Sequence, residues 1–212
     1  MHWACLLLPH LALDAVLRVL PDPDAPHVLV GGPVQRRVLH AVSPAAAALG
    51  LRRGMLVSAA QALTTAFVPH AYDPRTEAQA RALLAAWAYG FSSQVSLDLP
   101  HALVLEVGRS RRLFGDWGAL ARRMRDELGA MGWRHRLVAA PNPHAARVLA
   151  NVHDGLGIGE SQLLTALGQV PVERAGFAPE VARALERMGQ RRLRDVFALP
   201  RDGLARRFPP EV

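Results

Sequence analysis

The stretch Ser96–Gly108, SLDLPHALVLEVG, constrains this chain more than any other. Leu103-Val104-Leu105-Glu106-Val107 reads as a strand with Leu103, Leu105 and Val107 on one face and Val104 and Glu106 on the other. Pro100 breaks the polar lead-in, and an arginine-rich turn and a long amphipathic helix follow. The leading end of a core strand, where it opens onto a cleft, is a natural place for an enzyme's acidic metal ligands. Here that end carries His101 and Ala102. Whether it is chemically equipped decides what the protein does.

At 212 residues, half of them hydrophobic, the chain can bury one large core or two smaller ones. No apolar run reaches the roughly 18 residues of a membrane span. The opening MHWACLLLPHLALD lacks a basic region and a small-residue cleavage site, so it reads as a strand rather than a signal peptide. Cys5 alone can form neither an internal disulfide nor a zinc site, which fits a reducing cytoplasm; it reads as a small buried hydrophobe. All 25 basic side chains are Arg. Up to Gly108 the chain holds 7 Arg against 7 acids, and from residue 109 onward 18 Arg against 11. The whole positive excess lies in the second half. Nucleic acid is the natural partner for that asymmetry, although solvated arginine faces on helices also contribute to it.

Along the chain, Trp3–Leu8 reads as a buried strand and Leu11–Leu20 as a short helix. Pro21-Asp22-Pro23-Asp24-Ala25-Pro26 marks a boundary. His27–Val30 and Arg37–Val42 read as a hairpin, followed by an alanine-rich helix with Ser43 as N-cap, Pro44 at its first position and Gly50 as its stop. Ser58–Leu63 reads as a further helix and Phe67–Tyr72 as a strand, giving a small α/β insert over about 21–72. Asp73-Pro74 opens a helix carrying Ala80, Leu83, Leu84, Trp87 and Phe91. Val95–Leu97 is a candidate strand. After the Ser96–Gly108 stretch, one helix is expected with Leu113, Trp117, Leu120, Ala121, Met124, Leu128 and Met131 on its stripe. Arg136–Ala140 reads as a strand and Pro143–Asn151 as a helix. Gly155-Leu156-Gly157-Ile158-Gly159 reads as a linker or turn, and as weak support for phosphate binding because no strand leads into it. Two short helices are expected near 179–188 and 193–199. The chain then stops without a completed element, as a fragment of a longer protein would.

This order of parts resembles the Y-family (translesion) DNA polymerases. Three stretches carry the resemblance: HVLVGG with RRVLHAVSPAAAALGLRRGMLVSAAQAL, then SLDLPHALVLEVGRSRRLFG, and finally VERAGFAPEVARALERMGQRRLRDVFALP. It implies an α/β (α+β) fold with a ferredoxin-like palm over 1–20 and 73–153 and inserted fingers over 21–72. A partial helical thumb with a helix-hairpin-helix would occupy 154–212, with the little finger outside this chain. Active members hold two Mg²⁺ ions on carboxylates at the end of the first strand and at the opening of the central palm strand, because hard cations take oxygen ligands. Those places fall on Pro9, His101 and Ala102. Pro9 and Ala102 offer no side-chain ligand, and a neutral imidazole is a poor Mg²⁺ ligand. The family's triphosphate-holding Tyr and Arg fall on Pro44 and Ala47, and one phosphate-contacting palm position falls on Arg147. Arg52 and Arg53 are charges in the neighbouring turn. Asp14 and Asp98 are the acids that could substitute as ligands; both also read as capping or surface acids.

The vacated positions resemble the ImuB-like group of the family. The resemblance implies no catalysis, no cofactor and no metal, and an adapter role in damage-induced mutagenesis in the bacterial cytoplasm, at the nucleoid. The implied partners are a RecA-like ImuA protein, an error-prone replicative-type polymerase and, through a region outside this chain, the sliding clamp. DNA contact would be weak, non-specific and salt-sensitive. In a helix-hairpin-helix, backbone amides at a glycine turn hold a phosphate. Here Gly176 is in place, the second glycine is Ala178, and Arg183, Arg187, Arg191, Arg192 and Arg194 surround the turn. Each alone reads as a solvated arginine; together they are candidate phosphate contacts. An active polymerase with displaced ligands, and a stand-alone DNA-binding module, are the competing readings.

Overall fold

Each strand of the hairpin-and-crossover core follows from an apolar run bounded by Pro, Gly or a charged turn. The structure, a computed structural model, describes residues 2–208. In chain order the elements are β1 (Trp3–Leu7), α1 (Leu11–Leu17), β2 (His27–Gly31), β3 (Val38–Val42), α2 (Pro44–Ala48), α3 (Val57–Leu63), β4 (Val68–Ala71) and α4 (Pro74–Ala88). There follow β5 (Val95–Ser96), β6 (Ala102–Glu106), α5 (Arg111–Phe114), α6 (Trp117–Ala130), β7 (Arg136–Ala140) and α7 (Pro143–Ala150). The last stretch holds α8 (Glu160–Gly168), α9 (Pro179–Arg187), α10 (Leu193–Phe197) and α11 (Arg201–Arg207), with 3-10 turns at Val34–Arg36 and Val172–Arg174. The contacts divide these into two units, one of residues 2–7, 88–125 and 135–208, the other of residues 8–87 and 126–134.

The first unit is built on a four-stranded antiparallel sheet, order β5-β6-β1-β7. Cys5 stands opposite Val104 on one side and Val138 on the other, and Leu7 opposite Ala102 and Arg136. Helix α7 presents Ala145, Ala146, Leu149 and Ala150 to this face, where Cys5, Leu7, Val104 and Val138 are buried with them. Alanines on α7 let helix and sheet approach closely. Asn142 starts the helix by accepting the Ala145 amide at 2.8 Å, and Pro143 takes its first position. Burial pushes the Cys5 thiol up to about 12, so Cys5 behaves as the inert hydrophobe its surroundings suggest.

The central strand is buried at all five positions. It spans Ala102–Glu106 rather than Leu103–Val107, because Glu106 ends it. The Glu106 carboxylate turns back to accept the amides of Gly108 (3.0 Å) and Arg109 (3.3 Å). The single helix expected after it is two. Gly115, at φ 85°, breaks the chain, and Asp116 restarts it by accepting the Ala119 amide at 2.8 Å. Leu113 therefore lies on α5 and is 82% exposed instead of joining the buried stripe of Leu120, Ala121, Met124 and Leu128. Helices α8 and α11 also go beyond the sequence reading. Pro209–Val212, the end of the final stretch, lie outside the described residues.

The Gly155–Gly159 segment is an added edge to the sheet. Gly155 donates to the Leu137 carbonyl (2.7 Å), Ala139 to Leu156 (2.8 Å) and Ile158 back to Ala139 (3.0 Å). Asp154 anchors its start, accepting the Leu137 amide at 2.9 Å and both Arg125 guanidinium nitrogens at 2.8 and 3.0 Å. The Trp117 indole lies on Gly157, whose Cβ, if it had one, would sit 2.3 Å from Trp117 Cδ1. The glycine at 157 is thus a packing requirement.

The second unit holds the sheet β3-β2-β4, with β2 and β3 antiparallel and β2 and β4 parallel. Its core is Val28, Leu39, Ala46, Leu51 and Ala60. Ser43 Oγ accepts the amides of Ala46 (3.2 Å) and His27 (3.0 Å) and donates to Ala25 (3.1 Å), fixing the start of α2 to β2. Helix α1 ends at Leu17, three residues early, and the chain tightens into a turn in which the Leu20 amide donates to Leu17 O at 3.0 Å ahead of Pro21.

A Gly157→Ala variant is expected to lose about 1–3 kcal/mol in urea unfolding, because the indole must shift to admit the methyl. Gly129→Ala, on α6 with nothing within 4 Å, is expected to gain about 0.5–1 kcal/mol.

Candidate functional site

The turn before β6 places the candidate ligand positions. The Ala102 amide donates to Leu99 O at 3.3 Å, closing a tight turn over Pro100 and His101. His101 is exposed, and among the described residues it is the non-glycine residue with positive φ, at 54°. Left-handed backbone at a non-glycine residue carries strain. Ala102 points the other way: 2% exposed, its methyl packs with Cys5, Leu7, Val104 and Val138. A carboxylate at 102 would enter an apolar cluster. Pro9 is exposed in the turn after β1.

The acids that could stand in are already engaged. Asp14, on α1 and 2% exposed, pairs with Arg134, whose Nε donates at 2.6 Å and whose backbone amide donates at 3.2 Å. Burial pushes the Asp14 carboxyl up from its usual range, and the Arg134 bonds pull it part of the way back. Asp98 is exposed and accepts the Ser96 hydroxyl at 2.7 Å, within its own turn. Glu106 is 3% exposed and holds the amides that end β6. Among the described residues no group of three or more His, Cys, Asp or Glu is placed to hold a metal ion. The residues at 9, 101 and 102 do not fit a pair of Mg²⁺ ions: they present a ring without donors, an imidazole on an exposed turn, and a buried methyl.

On α2, Pro44 and Ala47, the two positions where triphosphate contacts were expected, are exposed and carry no charge. Arg52 and Arg53 are exposed in the turn that follows. Arg147 is half-buried on α7 and braces the turn ahead of His101. Its Nε donates to Pro100 O at 3.0 Å and its Nη1 to Asn151 Oδ1 at 2.5 Å; Asn151 in turn donates to Arg174 O at 2.7 Å.

Toward the C-terminus, Gly176 takes φ 96° with no atom near a would-be Cβ, so backbone conformation alone requires glycine there. Ala178 precedes α9 and Pro179 opens it. Val181, Ala182 and Leu185 face inward. Arg183 and Arg187 face outward and share a shallow cleft with Glu180 and Glu186, so this face carries mixed charge. Arg191, Arg192 and Arg194 are exposed around the start of α10, where Asp195 accepts the amides of Arg191 (3.1 Å) and Arg192 (2.9 Å). Arg192 also bonds Gln169, and Arg194 lies 3.7 Å from Asp195. No described helix is long and apolar enough to cross a membrane.

Residues 16–151, more than half of the chain, match the IMS (impB/mucB/samB) family. The chain belongs to the impB/mucB/samB family. Within this family's relatives, Protein ImuB of Caulobacter vibrioides (strain NA1000 / CB15N) is 29% identical over 161 residues, covering 76% of this chain and 35% of that protein. Protein ImuB of strain ATCC 19089 / CIP 103742 / CB 15 matches equally. The chain therefore spans about a third of the length of these curated relatives. The crystal structure of DinB from Sulfolobus solfataricus superposes with a TM-score of 0.80 at 17% identity, covering 97% of this chain and 62% of that one. The insertion ternary complex of Dbh DNA polymerase gives 0.79 at 18% identity, covering 97% and 63%. The fold is that of Y-family polymerases.

What the sequence reading missed in this region is the bracing. Asn151 and Glu106 hold turns through carbonyls and amides, and neither has a motif of its own. The short spacing Glu106-x-Gly108, with a glycine whose would-be Cβ meets the carboxylate at 2.7 Å, is the local signal for the second.

Ala102→Glu, restoring a carboxylate, is expected to cost roughly 3 kcal/mol or more in urea unfolding without creating Mg²⁺ binding, because it buries an unpaired charge. Asp14→Ala is expected to cost about 1–2 kcal/mol, because the Arg134 amide loses its acceptor while the 37% exposed guanidinium can turn to water, and Asp98→Ala to leave stability within about 0.5 kcal/mol.

Proposed function

We propose that this chain is a non-catalytic member of the Y-family fold, serving as a scaffold in DNA-damage-induced, mutagenic translesion synthesis. On this reading residues 1–20 and 73–153 are the palm, 21–72 the fingers and 154–212 part of a thumb. The observation that carries it is the buried Ala102 methyl. The strand opening that would present a metal carboxylate contributes instead to the sheet–α7 core. Pro9 and His101 extend the deficit to the other two ligand positions, and Pro44 and Ala47 leave the small finger helix without a triphosphate contact.

A polymerase needs metal ions to neutralise the triphosphate and activate the primer hydroxyl. This chain offers neither the ligands nor spare acids nearby in sequence, since Asp14 is engaged by Arg134 and Asp98 by Ser96 in its own turn. What it retains is a rigid platform. The scaffold's partners are a RecA-like protein of the ImuA type, an error-prone replicative-type polymerase that performs the synthesis, and the sliding clamp. DNA is a weak, non-specific partner through exposed arginines such as Arg191 and Arg194, with an affinity that falls as salt rises. The relationship to ImuB proteins supports this assignment.

Primer extension with Mg²⁺ or Mn²⁺ is expected to give no incorporation above the enzyme-free control, with the chain alone and with the full-length protein. Incorporation abolished by Asp98→Ala, a surface change that leaves the fold intact, would overturn the scaffold reading in favour of a polymerase with displaced ligands.

A further inference from the structure

The sheet of the first unit has a second end. His101 and Ala102 lie where β6 begins; Val107 and His2 lie where it finishes, joined by the Val107 amide donating to His2 O at 2.8 Å. At this far end the elbow between α5 and α6 and the Gly155–Gly159 edge segment enclose a cavity of about 230 Å³. Its floor is apolar: Val107, Leu120 and Ile158, all buried. One wall is the Trp117 indole, held by its N–H on Gly155 O at 3.1 Å and by its seat on Gly157. Gly159 also lines the cavity. It has φ −93° and nothing within 4 Å of a would-be Cβ, so neither backbone nor packing within the chain calls for glycine there.

The rim is cationic. Arg111 stands at it, exposed and without an ion-pair partner among the described residues, with Arg109 and Arg112 beside it in sequence. His2 faces Arg111, and burial together with that guanidinium holds the imidazole below its usual range. Of the acids near the rim, Asp116 has its Oδ1 engaged by the Ala119 amide, and Glu160, exposed after Gly159, acts on His2 more weakly than Arg111 does.

Size and charge select the occupant. Small-molecule and nucleotide sites begin at about 300 Å³, so this cavity is undersized for them. It has room for a single large apolar side chain, the kind of anchor that a preformed pocket accepts at a protein interface. An unpaired Arg at the rim adds a demand for carboxylate, which it can bind with paired hydrogen bonds. We propose that this cavity is a docking pocket for a partner protein's segment in which one large apolar side chain is flanked by acidic residues. The apolar side chain lies against Trp117 and a neighbouring carboxylate pairs with Arg111. The pocket does not depend on the loss of polymerase chemistry, since it lies at the opposite end of the sheet from the candidate ligand positions.

The test is a ¹H–¹⁵N NMR titration of the 212-residue chain with the blocked tripeptide acetyl-Asp-Phe-Asp-amide. Acetyl-Asp-Ala-Asp-amide, acetyl-Arg-Phe-Arg-amide and a thymidine hexanucleotide are titrated alongside. The expected result is saturable movement of the Trp117 indole N–H and the Gly157 and Gly159 amides with the acidic phenylalanine peptide. Each of the other three probes should act at least about tenfold more weakly, a difference of about 1.4 kcal/mol. Arg111→Glu, an exposed change, should abolish the response while leaving distant resonances in place, and Arg111→Lys should keep part of it. No saturable movement at millimolar peptide, an equal response to the alanine peptide, retention of binding in Arg111→Glu, or stronger movement by the hexanucleotide would each overturn the proposal.

Discussion

Strand β1 is hydrogen-bonded along its full length on both sides, to β6 and to β7, and everything in the first unit is placed by that double ladder. Register in an antiparallel sheet fixes which face every side chain takes, and a slip of one residue would reverse all of them. With Cys5 between Val104 and Val138, the middle of the face presented to α7 is apolar, and at its end Arg136 donates to the Ala150 (3.4 Å) and Asn151 (2.8 Å) carbonyls. The same pairing sets Ala102 opposite Leu7 and leaves His101 outside the ladder, on a strained turn. The Ala102 position is therefore governed by the sheet, not by a flexible loop.

On the proposed reading, this is how a polymerase fold persists without polymerase ligands. A carboxylate at a buried strand opening is costly unless a metal ion or a donor compensates it. Alanine at 102 removes that cost and adds a methyl to the core. Arg147, whose type suits phosphate, is turned inward to hold Pro100 and Asn151, so the turn is rigid without a ligand. The acids nearby in sequence have been absorbed in the same way. Asp14 fixes Arg134 and Glu106 ends the central strand. The consequence is that the turns and strand ends around the sheet are held by the chain's own polar groups.

Much of this was legible in the chain itself. The five-residue apolar alternation after Pro100 identified the central strand, and Ser43-Pro44 and Asn142-Pro143 marked helix starts through capping chemistry that needs no tertiary context. The proposed loss of ligands at Pro9, His101 and Ala102 rests on residue type, which the chain states directly. Other features were not legible because they depend on contacts far apart in sequence. The role of Gly157 is set by Trp117, forty residues earlier. The break between α5 and α6 needed Gly115 in left-handed backbone and Asp116 as a cap, within what looked like one continuous stripe. The arginines from 183 to 194 read as a positive cluster, but α9 interleaves Arg183 and Arg187 with Glu180 and Glu186. A count of charges cannot show which of them share a face.

The most direct measurement of the central claim is paramagnetic broadening by Mn²⁺, followed residue by residue in the ¹⁵N-labelled chain. If the strand opening cannot hold a divalent ion, the amides of Leu7, His101, Ala102 and Leu103 show only the weak, non-saturating broadening shared by exposed residues elsewhere. Saturable broadening centred on those four amides would contradict the account.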